Sequence, residues 1–476
     1  MNAPSTRDSS SLRFAGLDAL RGFAILTMVL SGVIPDKILP AWMYHCQVPP
    51  PDHKFNPNIP GITWVDLVFP FFLFAMGAAF PFALQRRMEK GMTQAQASLV
   101  ILKRGALLFA FAIYQQHISP WGMKTNPEWL RWVYALTGFA LLFPMLMRLP
   151  DALKPQWHWA IRAVGWGGAA LLLSQLRYSD GTGFSIYRSN IILMLLTVSA
   201  VFGSFAWLLT RDNVLLRLGI LGILLAHRLT GDLTGWAKWL NELVSIPKIW
   251  HLTYVHYLFI VIPGTIAGDM MLAWLRERKQ ADDPGKWASP RFALLVALMV
   301  TFVVVNLVGL KARLSNLTFA LDCALVAAGG LLVRDAESRT ERFLRALYWW
   351  GAYWLLLGMA FEPYEGGIKK DPNTLSYFFV TSGLAIFTVV AFTIVLDVWQ
   401  VRVGSQLLIG SGQNPMIAYV GMGNLIHPLF ALSGFGDKFD RLFPGPWLGT
   451  LRGVLLTLLL AWVVSLFTRA RIYWRT

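Results

Sequence analysis

Asp18, Arg21 and Asp66 lie at or inside the first two of a long series of membrane-length apolar runs, and His45 and His53 stand in the loop between those runs. Charge inside a hydrocarbon span is costly and is usually kept for function. Asp18 and Arg21 are three apart, so on a helix they face one another a turn apart. They read either as a local ion pair at the end of the first span or as the mouth of a cavity where Arg21 meets a phosphate. His45 precedes Cys46-Gln47-Val48-Pro49-Pro50-Pro51, a run that cannot continue a helix and adopts a stiff extended form. Such a loop can hold an imidazole over the membrane surface, where it takes and returns protons near neutral pH. His53 carries the same reading. With Asp52 nearby a metal site is conceivable, but no i,i+4 histidine pair supports one. Asp66 is one turn into the second span and Pro70 follows four residues later. Its carboxylate suits either a helix cap, where negative charge is favoured, or a partner for a catalytic histidine. Proline inside a span frees backbone groups, and such breaks line cavities.

Two later stretches carry polar chemistry. Glu362 to Pro372 is a charged, turn-rich loop containing Lys369 and Lys370. Gly410-Ser411-Gly412-Gln413-Asn414-Pro415 opens a span, and an exposed helix N-terminus there suits an anionic or carbonyl oxygen. Asn424 and His427 follow within that span. His227, His251 and His256 read as interfacial or packing histidines. The chain has no phosphate-binding Walker loop, no dinucleotide fingerprint and no serine-hydrolase elbow.

The elements that must position these residues follow from composition. Of 476 residues, 55% are hydrophobic and 14% charged, against about 25% charged in soluble proteins. Apolar runs occupy residues 15–34, 63–85, 104–118, 129–148, 158–176, 189–210, 213–228, 250–275, 291–310, 315–334, 344–361, 375–397, 412–433 and 446–468. Most have the length that crosses a bilayer. The expectation is an all-α polytopic membrane protein of about 12–14 transmembrane helices forming one domain over 1–476. Residues 1–14 read as a cytoplasmic N-terminal tail, 35–62 as a periplasmic histidine loop and 229–249 as a periplasmic interfacial segment with Trp236 and Trp239. No cleavable leader is evident.

The net charge of +16 reflects basic loops that fix orientation, and no basic stripe interleaved with aromatics suggests nucleic acid. With the N-terminus inside, about 26 of the 42 Lys and Arg fall on the cytoplasmic side, including Lys103 and Arg104, and both termini are cytoplasmic. Cys46 lies in the first loop and Cys323 in a span, so neither a disulfide nor a thiolate metal site is expected.

The string Leu17-Asp18-Ala19-Leu20-Arg21-Gly22, the histidine loop, Gly61-Ile62-Thr63 and Asp66-Leu67-Val68-Phe69-Pro70 together resemble the heparan-α-glucosaminide N-acetyltransferase family, whose bacterial branch includes NagX-like membrane proteins. Gly366-Gly367-Ile368-Lys369-Lys370 with Leu375-Ser376-Tyr377, and Gly412-Gln413-Asn414-Pro415 with Tyr419-Val420-Gly421, are similar to two later segments of that family. Where the family has an asparagine shortly after the first span, this chain has Ser31-Gly32. The resemblance implies a transmembrane acyltransferase-like bundle in the bacterial inner membrane. It implies transfer of acetyl from cytosolic acetyl-CoA to an amino sugar at the periplasmic side, without a metal. His45 corresponds to the family's essential histidine, with His53 in reserve and Asp66 as its partner. CoA phosphates are expected near Arg21, Lys103 and Arg104, and the acceptor near Asp18, Asn414, Lys369 and Lys370. Asn414 and its helix N-terminus would stabilise an oxyanion. Membrane lipids are the surroundings, and a homodimer is compatible. The rivals are an O-acyltransferase of cell-surface glycans and a sugar transporter.

Overall fold

The computed structural model describes residues 13–230, 235–243, 246, 249–278 and 285–475. Most of the expected N-terminal tail and parts of the 229–249 segment therefore lie outside the described residues. The described chain is helical throughout. The helices are α1 (Ala15–Val33), α2 (Trp64–Glu89), α3 (Gln94–His117), α4 (Leu130–Leu146), α5 (Pro155–Gln175) and α6 (Ile191–Thr210). Then come α7 (Val214–Thr230), α8 (Gly235–Leu243), α9 (Leu258–Arg278), α10 (Ser289–Lys311), α11 (Ser315–Leu332) and α12 (Arg339–Tyr364). The last group is α13 (Leu375–Thr393), α14 (Ser405–Gln413), α15 (Pro415–Gly421), α16 (His427–Ser433), α17 (Phe435–Arg441) and α18 (Pro446–Arg469).

Each apolar run of the sequence has become a helix, and the protein is an all-α polytopic membrane protein. Among the described residues, 10 helical segments are long and apolar enough to cross a bilayer. The remaining runs fall on α4, α5, α7 and α12. Helices α4 and α7 are short at 17 residues each, and α7 carries Arg217 and Arg228. The run at 104–118 is the back half of α3. That helix begins ten residues earlier, where Thr93 and Gln96 form a reciprocal capping box that hydropathy does not register.

The run at 412–433 is a span that starts at Pro415 and ends at Ser433. Gly410 to Gln413 end α14, Asn414 breaks the backbone, and Pro415 starts α15 at a position where a missing N–H costs nothing. A π-helical turn at Met422–Ile426 then joins α15 to α16.

Two apolar cores fill the molecule. One is built mainly by α2, α6, α9, α10, α12 and α13, the other by parts of α1, α3, α4, α5, α15 and α18. Helix α1 contributes to both. Its own first turn lacks a side-chain cap, and Asp397, at the end of α13, accepts from Ala15 N and Gly16 N at 3.3 and 2.9 Å. A carboxylate there satisfies orphan donors and complements the helix dipole.

Helix α1 also lies backbone-to-backbone on α14. A Cβ on Gly412 would stand 1.8 Å from Asp18 O, and one on Gly22 would stand 1.9 Å from Leu408 O. Gly412→Ala is therefore expected to cost about 3 kcal/mol or more, because neither backbone can move without opening the core. The check is the thermal unfolding midpoint of purified variant and wild type in detergent. An unchanged midpoint would mean the two helices do not touch this way.

Candidate functional site

Asp66 is the hinge of the site at one end of the bundle. Its position at the third residue of α2 lets Oδ2 reach back to Thr63 N at 2.9 Å, the reciprocal half of a helix cap. Oδ2 also accepts from Cys46 N at 3.1 Å and Thr63 Oγ1 at 3.2 Å, which ties the histidine loop to the helix. Oδ1 lies 2.8 Å from Nδ1 of His45. The carboxylate thus caps the helix and orients the imidazole at once.

The proline one turn on explains why Asp66 stays in place. Pro70 has no N–H, so the Asp66 carbonyl loses its helical partner. The hydroxyl of Tyr377, from α13, donates to that carbonyl at 2.8 Å. Tyr377 and the Asp66 side chain are both fully buried. Sequence reasoning noted Tyr377 only as part of a motif. The proline's orphaned carbonyl was the signal that a donor had to come from elsewhere.

With Nδ1–H given to Asp66, the free lone pair of His45 is on Nε2. The imidazole is 41% exposed while Asp66 is covered, so the imidazole faces outward and its orienting partner does not. Lys370 Nζ stands 3.0 Å from Nδ1 and 3.4 Å from Nε2, and 3.8 Å from Asp66 Oδ1. Burial pushes the Lys370 ammonium below the usual lysine range, and the carboxylates of Asp66 and Asp371 pull it partly back. Lys369 serves the loop through its backbone, accepting from Thr374 N and donating to Thr374 Oγ1.

Three loops far apart in sequence meet here, and two glycines let them. Gly61 has φ +121°, and a Cβ on it would stand 3.0 Å from Cys46 Sγ and 3.1 Å from Leu310 O. Gly367, at φ +109°, meets Pro60 and Arg313 in the same way. Gly61 N donates to Ile368 O at 2.7 Å. His53 is directed elsewhere: its Nδ1 is 3.4 Å from Asp36, and its ring packs edge-on against Tyr44. His45, not His53, is therefore the histidine brought to Asp66.

The other end of the bundle holds a cavity of about 1280 Å³, larger than the roughly 300–1,000 Å³ of ordinary small-molecule sites. Arg21, Arg86, Arg87, Lys90, Lys103, Arg104, Arg162 and Arg475 line it, and no Asp or Glu does among the described residues. Trp159, Trp166 and Trp474 stand in the same wall. Arg21 reaches it from α1, held by Gly412 O at 3.1 Å and by Asp18 at 3.5 Å. Arg21, Lys103 and Arg104 thus line one cavity.

A second pocket, of only about 40 Å³ and apolar, lies beside this cavity: Phe72, Leu108, Leu196, Pro415 and Met416 line both, and Ile25, Met28 and Phe69 also line the small one. Phe69 is three residues from Asp66 on α2, about 4.5 Å of helix. Arg87, at the cationic end, is about 30 Å from Asp66 along the same helix.

The structure does not bring Asp18 and Asn414 to His45. Asp18 accepts from Gln413 Nε2 at 3.1 Å at the cationic end. Asn414 is 1% exposed and donates to Thr468 Oγ1 and Ile472 O, both at 2.9 Å, near the chain's C-terminus. Its amide fixes the break in the α14–α15 crossing. No observation puts it where an oxyanion would form beside His45.

Comparison with known proteins adds one match. Residues 13–271 fit the model of a family described as a domain of unknown function, DUF5009. That span includes His45, Asp66 and most of the cationic cavity, but not Lys370 or Asn414. No curated protein matches the chain. Since the matched span exceeds half of the 476 residues, the chain belongs to the DUF5009 family.

Proposed function

We propose that this protein is a membrane-embedded acyltransferase. It would take an acyl group, acetyl in the simplest case, from acyl-CoA at the cytoplasmic face. It would deliver that group to an acceptor sugar at the opposite face. One observation carries the reading: a large cationic cavity, without carboxylates among the described residues, lies at one end of α2, and an Asp66-oriented histidine stands at the other. Phosphates suit the wide basic chamber. The excess of arginine at the cavity end favours a cytoplasmic location for it, with both termini on that side of the cell membrane.

In this reading Asp66 holds His45 as the Nδ1–H tautomer. His45 Nε2 removes the proton from the acceptor's N–H or O–H as that atom attacks the thioester carbonyl. The same Nε2–H then returns the proton to the departing thiolate. Lys370 supplies positive charge where the tetrahedral oxygen develops. The seam between two apolar cores, on which the cavity lies, is also what a rocking sugar transporter would use. That is the rival reading.

Affinity should scale with ligand charge. Calorimetry on purified protein is expected to give CoA tighter than dephospho-CoA, and dephospho-CoA tighter than pantetheine. The gap between CoA and pantetheine should be at least about 100-fold, since each charge-assisted contact contributes about 1.5–3 kcal/mol. It should narrow as salt rises. Pantetheine binding as tightly as CoA would count against a phosphate chamber.

A further inference from the structure

Five charged side chains gather where α11 ends and α12 begins, and none of them lines the cationic cavity. Lys286, Arg334, Asp335, Glu337 and Arg345 line a recess of about 420 Å³ there, with Trp349 in its wall. The recess is on the same side of the bundle as that cavity. Arg339, in the first turn of α12, donates to Glu277 O at the end of α9 at 2.6 Å, and Arg276 of α9 pairs with Glu89 at the end of α2.

The charges in the recess do not cancel. Lys286 is paired with Glu337, and Arg334 Nε lies 3.9 Å from Asp335. Glu341, in the first turn of α12, is buried and accepts from the backbone of Trp287, Glu337 and Ser338. The carbonyls that end α11 are also taken, because Arg291 donates to Leu332 O and Arg334 O. Arg345 remains. It is partly buried, and among the described residues no protein group pairs with its guanidinium.

Trp349, one turn further along α12, sets the depth of the recess. Its ring lies against the backbone of α11, since a Cβ on Gly330 would stand 3.1 Å from Cη2 of the indole. Indoles favour the headgroup level of a bilayer. Tyr353, another turn on, is exposed, as is Leu331 on α11. An unpaired guanidinium therefore stands at phosphate depth, and an apolar outer face leads from it into the hydrocarbon. The bland account is an arginine that anchors the end of a span among headgroups of any kind. Such an arginine stands on an open helix face, whereas Arg345 lies in a recess walled by the 333–337 connection and an indole.

We propose that this recess is a specific site for one anionic phospholipid. Arg345 receives the phosphodiester, Trp349 supports the glycerol, and the acyl chains follow the outer faces of α11 and α12. Basic pockets between helices hold anionic headgroups in this way. A zwitterionic lipid brings a cation of its own beside Lys286, Arg334 and Arg345, so it competes poorly. The site is independent of the acyl-transfer reading.

The test uses the full chain, freed of native lipid in neutral detergent, with phosphatidylglycerol and phosphatidylcholine that carry the same photoreactive acyl chain. Crosslinks are mapped by peptide mass spectrometry. Phosphatidylglycerol is expected to label the segments around Leu331 and Tyr353 at least about fivefold more strongly, the scale of one basic side chain meeting an anionic headgroup. Arg345→Gln should bring the two lipids level, and Arg345→Lys should keep most of the difference. Arg342→Gln removes an exposed charge on the same helix outside the recess, and it should change nothing. Unfolding midpoints verify that the variants fold, and the wild-type comparison of the two lipids needs no variant.

Equal labelling by the two lipids in the wild type would overturn the proposal, as would a preference that survives Arg345→Gln. An equal loss in Arg342→Gln would reduce the effect to general surface charge and reject a specific site. Displacement of the label by inorganic phosphate or glycerol 3-phosphate as effectively as by unlabelled phosphatidylglycerol would make the recess a small-anion site and reject the lipid.

Discussion

His45→Ala is expected to lower acyl transfer by a factor of about 10² to 10⁴, the usual loss when a positioned acid–base is removed. CoA should bind that variant with nearly wild-type affinity, because the cationic chamber is at the other end of α2. His53→Ala is the matched control. Its ring packs on Tyr44 and faces Asp36, so turnover should stay within a few-fold of wild type. Initial rates with labelled acetyl-CoA and calorimetric CoA binding on the same preparations decide the matter. Full turnover in His45→Ala would remove the histidine from the chemistry.

Asp66→Asn is expected to be nearly as severe, for a different reason. The amide keeps the volume but turns the hydrogen bond around. If the new side-chain amide donates to His45 Nδ1, the ring proton must move to Nε2, the atom proposed to act as base. In enzymes where a carboxylate orients a catalytic histidine, this exchange costs about 10⁴ in turnover. Asp66→Asn also weakens acceptance from Thr63 N and Cys46 N, so a lower unfolding midpoint should accompany the loss. The discriminating readout is the kcat against KM split: kcat falls while KM for acetyl-CoA holds. A change confined to KM would make Asp66 a structural cap only.

Helix positions were legible from hydropathy because each apolar run has to satisfy its own backbone in a bilayer. Polar structure at their ends was less so. The first turns of α3 are carried by a capping box and not by apolar residues, so the run began late. The span at 412–433 is legible from hydropathy, but its start at Pro415 is not, because Asn414 and Pro415 interrupt geometry without interrupting hydrophobicity. Within the site, Asp66 and His45 were both named from local chemistry, and Lys370 was included through a motif. Their meeting was not legible. It depends on loops more than 300 residues apart closing over Gly61 and Gly367. Asn414 sits in a motif that looked chemical, yet its amide is spent on Thr468 and Ile472.

The central claim is that one cavity system lets an acyl group, and not a sugar, cross the bilayer. Inverted vesicles containing the purified protein, with labelled acetyl-CoA outside and glucosamine inside, test it directly. The expected result is labelled N-acetylated sugar inside the vesicles, with CoA remaining outside and no product with His45→Ala. Unmodified sugar leaving the vesicles at a comparable rate, with no acetylated product on either side, would contradict the acyltransferase and favour a transporter.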